Sequence, residues 1–404
     1  MIVRKLREDE LKRGAELSAL AFEYALEGAE LPPEAFARRL IEHPGDASDV
    51  HWDSRWAAFE DDGVTMMATF CVIPWRANFD GHAVTMGGVG GVATLPQYRR
   101  RGAIRRCFEA ALADMYARGM ALSYLYPFSN AFYRRFGYEL ACDKVRWRLK
   151  LDGLPSVDAG GRWRLSEPGS DLSAQVRAVD LRRNARYNCA VFGGDTEYRW
   201  ASENPFVKRD YTYVYFDEAG APSAYACVRA RPGEDLNCVK SGFFDRRGLE
   251  GLLALLKRFA ADHSHAVLDM PADADPRALL PEYSLGTVER TVVQWGMARV
   301  VNVEMALSLA RMRGEGRLRI AVTDGQIPEN NGTFEVRFAP GAANAVRRTD
   351  AAPDVALTIQ DFSCLLIGCG DLDPEWQPGV QLNCDIDRAR QVFYRKPAYI
   401  AQYF

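Results

Sequence analysis

Apolar positions along the chain switch between two spacings, and the switches mark the elements. "IVRKL" alternates as a short strand, and helical spacing follows over 9–28 and 33–42, the second opened by Pro32 and Pro33 at helix-start positions. From Ser54 to Pro96 the residues are β-rich, with Asp-Gly turn signals at 62–63 and 80–81, which predicts antiparallel hairpins. At Gly102 the spacing becomes helical. Ile104, Cys107, Phe108, Ala111, Leu112, Met115 and Tyr116 fall on one helix face, and Gly119 suits its C-terminal stop. "MALSYLYPF" is a further strand. "SNAFYRRFGYEL" opens on the capping residue Ser129 and ends at Gly137, a short helix leading into another strand.

A Gly-, Pro- and Asp-rich linker, "LDGLPSVDAGG" (151–161), closes this first region. Residues 162–300 repeat the mixture of strands and helices, with the helix "GLEGLLALLKRFAADH" and the strand "HAVLDMPA". A third region opens near Val301. It reads as helix "NVEMALSLARM", strands "GRLRIAVTDG" and "GTFEVRFA", a Pro/Ala-rich loop, strand "VALTI" and helix "DFSCLLIGC". The chain ends in the aromatic run "RQVFYRKPAYIAQYF", a terminus expected to be tucked in rather than frayed. With 404 residues, too many for one core, the expected fold class is α+β, mixed sheets with helices, in domains 1–150, 160–300 and 301–404.

Charge narrows the function. Against 51 Lys and Arg stand 54 Asp and Glu, a net −3, whereas a sequence-independent nucleic-acid binder needs a basic domain. Nucleic acid is therefore not expected as a partner. Nine cysteines form no CxxC pair and are odd in number, which argues against a zinc cage or a disulfide framework; no metal is expected. Reduced cytosol is the expected compartment. "MIVRKLREDELKRG" lacks the apolar stretch of a signal peptide and no run reaches membrane-spanning length, so a soluble, internal protein is expected.

The basic charge is concentrated locally. In "VATLPQYRRRGAIRRCFEAAL", Arg99, Arg100, Arg101, Arg105 and Arg106 surround Gly102, between a strand and a helix. First-turn N–H groups lack partners, the helix dipole favours an anion, and glycine lets a phosphate approach the backbone. Arginine adds planar, charge-assisted hydrogen bonds. The plain alternative is a solvated basic helix start. Against it, positive side chains at a helix N-terminus are unfavourable without an anion, and the preceding strand is apolar.

Strand, "RRRGA" and helix resemble the acetyl-CoA loop of the GNAT N-acetyltransferases, and "AFYRRFGYEL" resembles their Y-x-x-x-G-[FY] segment. The fuller spelling "VAxxPxxRRRGxxR", a second GNAT-like region and a third region similar to sterol carrier proteins together resemble the Eis-type acetyltransferases. The resemblance implies tandem GNAT-like domains followed by a sterol-carrier-protein-like domain. It implies transfer of acetyl from acetyl-CoA to a primary amine, of the aminoglycoside or another polyamine kind, by direct attack on the thioester. By the same resemblance Val92, Ala93 and Thr94 would face the pantetheine arm. Arg100, Arg101, Gly102, Ala103, Ile104 and Arg105 would wrap the pyrophosphate, and Phe128 and Ser129 would flank the cofactor. Ile104 departs from the small residue of the general GNAT loop, as it does in the Eis-type relatives. A homo-oligomer, a hexamer, is implied as well.

The resemblance also assigns the catalytic groups: Tyr133 as the acid and the terminal carboxylate of Phe404 as the base. An α-carboxylate, with an ordinary pKa near 3.3–3.7 in water, becomes a better base when buried, and "AYIAQYF" offers a means of burial. Tyr124 and Tyr126 lie in the strand before the turn and read as packing residues. His43 and His51 precede the strands, His82 sits in a hairpin turn, and His263 and His265 lie in the second region; none is placed as a base. "DRRGLEGLLALL" echoes the phosphate loop, but Asp245 and Glu250 flank its glycine and would repel a pyrophosphate, so the second copy is expected not to bind cofactor. Two rival readings remain: an acetyl-CoA sensor, and a ligand-binding protein without turnover. Tyr403 stands at the penultimate position where relatives carry an acid, and Glu23 and Glu27 are candidate acidic lining that a solvated face explains equally.

Overall fold

The computed structural model describes residues 1–42, 54–155 and 160–404; His43 and His51 lie outside these. Strand β1 (Ile2–Lys5) is followed by helix α1 (Leu11–Phe22), which ends where Glu23 turns left-handed at φ 57, well before residue 28. Helix α2 (Pro33–Glu42) precedes β2 (Arg55–Phe59) and the long hairpin of β3 (Met66–Phe79) and β4 (His82–Thr94). Asp80 and Gly81, both at positive φ, make its two-residue turn. Helix α3 (Ala103–Ala117), β5 (Leu122–Leu125) and the short helix α4 (Asn130–Arg134) complete the region.

Strands β1 to β4 pair in sequence order as antiparallel neighbours, and β4 then pairs in parallel with β5. The apolar face of α3 packs on this sheet. Ile104, Cys107, Phe108, Ala111, Leu112 and Met115 share one core with Trp56, Phe70 and Tyr138, which is why a 3.6-residue period is needed there. Two irregularities shape the site. β4 carries one residue more than β3 between Gly90 and Ala93, a bulge with Gly91 at φ 62. The β4–β5 ladder ends at Val89 and Leu125, so the following edge of β4 has no strand beside it on that side.

The chain divides into two compact units. The first comprises Met1–Ala141, Gly296–Lys396 and Ala401–Phe404; the second comprises Cys142–Trp295 and Pro397–Ile400. From Cys142 onward β6 (Glu139–Lys150) belongs to the second unit, whose sheet also holds β7 (Arg162–Leu165), β8 (Tyr211–Phe216), β9 (Pro222–Arg229), β10 (Leu236–Phe243) and β11 (His265–Pro271). Their order is β6-β11-β10-β9-β8-β7, and helices α5 (Ser173–Asn184) and α6 (Arg246–Lys257) belong to the same unit. From Gly296 onward β12 (Val288–Val300) belongs to the first unit and runs antiparallel to β5.

After helix α7 (Val303–Leu309) comes a second sheet in the first unit. It is built from β13 (Gly316–Thr323), β14 (Gly332–Phe338), β15 (Ala345–Thr349), β16 (Val355–Thr358) and β17 (Gln381–Leu382), in the order β15-β14-β13-β16-β17, with helix α8 (Ile359–Ile367). β15 stands where the sequence pattern predicted loop. "AVRRT" is a short, polar edge strand and carries no apolar alternation to announce it. Two buried ion pairs tie this part to the preceding hairpin and strands: Arg299 with Asp324, and Lys396 with Asp80 at 2.6 Å.

One carboxylate in the second sheet is unusual. The Arg347 guanidinium, with Arg319 and Arg337, holds Glu335 down to about 2 from an ordinary 4.5. Because the folded value is the lower one, the stabilisation is present above about pH 4.5 and is lost as pH falls through about 2. Urea midpoints of wild type should therefore decline over that window. Glu335→Gln should lower the neutral-pH midpoint and flatten the decline; a variant with the wild-type acid profile would disprove the assignment.

Candidate active site

Helix α3 starts without a cap. Its N-cap is Gly102 at φ 82, a left-handed conformation that favours glycine, and no side chain accepts from the first turn. The first bond back along the chain is Arg106 N to Gly102 O at 3.1 Å. Among the described residues, the N–H groups of Ala103, Ile104 and Arg105 therefore have no acceptor. Three open donors at the positive end of a helix can receive an anion. The side chains of Ala103 and Ile104 point into the core, so these two residues offer the site main chain only.

The arginines divide into two groups. Arg99, Arg100 and Arg106 are exposed and have no protein partner among the described residues, and Arg100 holds a left-handed φ of 64 that is unusual for a side chain with a Cβ. Arg101 instead makes a two-pronged pair with Glu60, at 2.7 and 3.2 Å, and lies over the Tyr98 ring. Arg105 sits 3.7 Å from Glu109. Both pairs are half exposed, and such pairs are worth little, so a phosphate can compete for either guanidinium. The contrast with α6 is informative. There Asp245 occupies the N-cap and takes the Gly248 N–H at 2.8 Å, so that helix start already carries its own anion.

Val92, Ala93 and Thr94 lie on the bulged end of β4, past the last residue paired with β5. Phe128 is exposed. Ser129 is already engaged as the N-cap of α4, accepting from Phe132 N at 3.3 Å, so its hydroxyl is committed to local structure.

The end of the chain lies beside the same end of the β4–β5 ladder. A Cβ on Gly90 would come within 3.2 Å of the Phe404 carboxyl carbon, and one on Gly88 within 2.7 Å of the Phe404 ring. A side chain at Gly88 would collide with the Trp75 and Phe404 rings, and one at Gly90 would press the terminal carboxyl to shift by a few tenths of an ångström. The Phe404 ring packs against Trp75, Tyr124 and Tyr126 at centroid distances of 5.6, 6.3 and 5.5 Å. Tyr126 also donates its hydroxyl to the Gln402 carbonyl and packs on Tyr403 at 4.7 Å. Tyr403 is exposed. The repeat of glycines in "MGGVGGVAT" is the sequence signal for this close approach.

Tyr133 is buried, with 2% of its surface exposed. Its ring sits among Phe108, Phe128 and Tyr138 at 6.0, 5.3 and 6.4 Å. Among the described residues its hydroxyl has no hydrogen-bond partner. Burial, reinforced by Tyr138, pushes the phenol above its ordinary range. A buried phenol with a raised pKa keeps its proton and can donate it. Of the other candidates, Glu27 pairs with Arg39 at 2.6 Å and Glu23 is an exposed helix end. His263 and His265 lie in the second unit, bonded to the Glu234 carbonyl at 2.8 Å and to Arg148 at 3.0 Å.

Helix α3 thus starts uncapped after a bulged strand, beside the end of the parallel β4–β5 ladder. Residues 2–141 match the acetyltransferase (GNAT) domain family, and residues 303–374 match the sterol carrier protein domain family. The chain thus carries an acetyltransferase (GNAT) domain at residues 2–141 and a sterol carrier protein domain at residues 303–374. A probable N-acyltransferase from Enterococcus faecalis is similar over 100% of this chain and 99% of its own, with a TM-score of 0.85 and 20% identity. A GCN5-related N-acetyltransferase from Anabaena variabilis is similar over 100% of both chains, with a TM-score of 0.84 and 15% identity. Eis1 from Mycobacterium abscessus is similar over 100% of both, with a TM-score of 0.80 and 18% identity. At these identities the likeness is one of fold. No curated protein matches the sequence. Among the described residues no helix is long and apolar enough to cross a membrane.

Proposed function

We propose that this chain transfers acetyl from acetyl-CoA to a primary amine, of the aminoglycoside or another polyamine kind, with Tyr133 as acid and the Phe404 carboxylate as base. The observation that carries the reading is the position of the chain end. The Phe404 carboxyl group lies against Gly90, one residue past the last β4–β5 pair. Bound acetyl-CoA would supply an acetyl thioester for the amine to attack. The open N–H groups of α3 with Arg99, Arg100 and Arg106 would hold the pyrophosphate, Arg101 and Arg105 joining by release of their exposed partners. The bulged edge of β4 at Val92, Ala93 and Thr94 would take the pantetheine arm, with Phe128 and Ser129 beyond it. The Phe404 carboxylate would accept the amine proton, and the Tyr133 hydroxyl would hold a proton for the leaving thiolate.

The same reading divides the chain into domains 1–150, 160–300 and 301–404, with cofactor only in the first, and makes the protein a cytoplasmic homo-oligomer, a hexamer, that uses neither nucleic acid nor membrane. Thiol release from acetyl-CoA across a panel of amines tests it, beside titrations with acetyl-CoA and with CoA. Tight acetyl-CoA binding with no release for any amine would replace the transferase by a sensor.

Arg100→Ala tests the cofactor site directly. It should weaken acetyl-CoA binding by about 1.5–3 kcal/mol, the range for a hydrogen bond to a charged group, as read by calorimetry. Arg101→Ala should cost less than Arg100→Ala, because Arg101 must first give up Glu60. Unchanged affinity in both variants would remove the site.

A further inference from the structure

The solvent face of the second sheet carries a charge excess that no role described above uses. Side chains alternate across a strand, so Arg317 and Arg319 on β13, Glu335 and Arg337 on β14, and Arg347 on β15 share one face. Their neighbours Leu318, Ile320, Phe334, Val336 and Phe338 fill the core on the other. Arg317 stands directly opposite Arg337, a cross-strand pair of like charges that is unfavourable by itself. Arg319 and Arg347 flank Glu335 in register from either side. All four guanidinium groups reach that one carboxylate, at 4.0, 3.4, 3.2 and 2.7 Å for Arg317, Arg319, Arg337 and Arg347. The Glu335 side chain is 3% exposed, whereas those of Arg317, Arg337 and Arg347 are 48%, 59% and 65% exposed.

One buried carboxylate thus gathers four arginines and neutralises one. Among the described residues none of the four pairs with another acid, and Arg388 beside them is already balanced by Asp354. Each guanidinium has five N–H donors, and Glu335 can satisfy only a few of the twenty. Neighbouring strands lie about 4.8 Å apart, so the face spans about 10 Å over three strands, the size of one or two phosphoryl groups. Planar forks held at that spacing match phosphate oxygens better than they match single carboxylates.

We propose that the outer face of β13, β14 and β15 is a binding site for a phosphoryl group, separate from the start of α3, with Arg317, Arg337 and Arg347 as its donors and Glu335 as the group that holds them together. The test uses the full chain saturated with CoA, so that the α3 site is filled, and titrates inorganic pyrophosphate by calorimetry. One further pyrophosphate should bind, more weakly as salt rises. The double variant Arg337→Gln/Arg347→Gln should weaken that binding by about ten-fold or more. Arg348→Gln removes the same type of charge from the opposite face of β15 and should leave it unchanged.

Arg317→Gln guards against a folding artefact. Arg317 is the farthest from Glu335, so its loss should spare the melting temperature and still weaken binding. Phosphatidylcholine vesicles with and without phosphatidic acid identify the source. Co-sedimentation only with the acidic lipid, lost in the double variant, assigns a lipid headgroup; pyrophosphate binding without co-sedimentation assigns a free phosphate. Absence of any pyrophosphate binding beyond the CoA site, or binding unaffected by all three substitutions, overturns the proposal.

Discussion

Turnover of the Tyr133→Phe protein is expected to fall by about 10²-fold or more while folding and acetyl-CoA affinity stay intact, the usual range for one general acid. Phenylalanine keeps the ring that packs among Phe108, Phe128 and Tyr138, so the change removes little besides the hydroxyl. That hydroxyl has no partner among the described residues, and its loss leaves no orphaned group behind. Burial pushes the phenol above its ordinary 10, so Tyr133 is protonated across the working range. The wild-type rate should therefore not fall through loss of this proton until the solution is strongly alkaline. Tyr126→Phe is the necessary comparison, since its hydroxyl holds the Gln402 carbonyl. If Tyr126→Phe loses turnover and Tyr133→Phe does not, the acid has been placed in the wrong segment.

Local signals carry the helix at 103–117, the hairpin over Asp80 and Gly81, and the open start of α3. In each case one stretch of sequence contains both the apolar period and the turn residue that ends it. Edge strand β15 escaped because an exposed, basic strand has no buried face to imprint alternation. The arginine cluster was legible as a charge excess, yet its division was not. Arg101 finds Glu60, which is 41 residues earlier in the chain, and no local pattern reports that partner. In the sequence Asp245 is a charge that repels phosphate. The structure adds that its carboxylate bonds the helix start itself, so the second helix has no open donor to offer there. The glycines of β4 are a further case. Gly88 and Gly90 look like weak points in a strand until Trp75 and Phe404 are seen to occupy the space that their side chains would fill.

Adding one or two residues after Phe404 should abolish most acetyl transfer without unfolding the protein or weakening acetyl-CoA binding. The base in this reading is the terminal carboxylate, so its position matters more than its side chain. Each added residue moves the charge by up to about 3.3–3.6 Å, beyond hydrogen-bond reach of an amine held at the thioester. The terminus cannot simply slide back to compensate, because the Phe404 ring is held by Trp75, Tyr124 and Tyr126 and the preceding main chain by the Tyr126 hydroxyl. A chain lacking Phe404 should fail likewise, since its carboxylate would sit one residue short. Phe404→Leu, which keeps the carboxylate and an apolar side chain, should retain far more activity than either. Gly90→Ala approaches the same point from the other side, placing a methyl group 3.2 Å from the carboxyl carbon and displacing it. Acetyl-CoA titrations must stay normal in all four proteins, because the α3 donors lie on a separate element. A C-terminally tagged enzyme with full turnover would defeat the assignment, and the base would then have to be sought among the acids of the first domain acting through water.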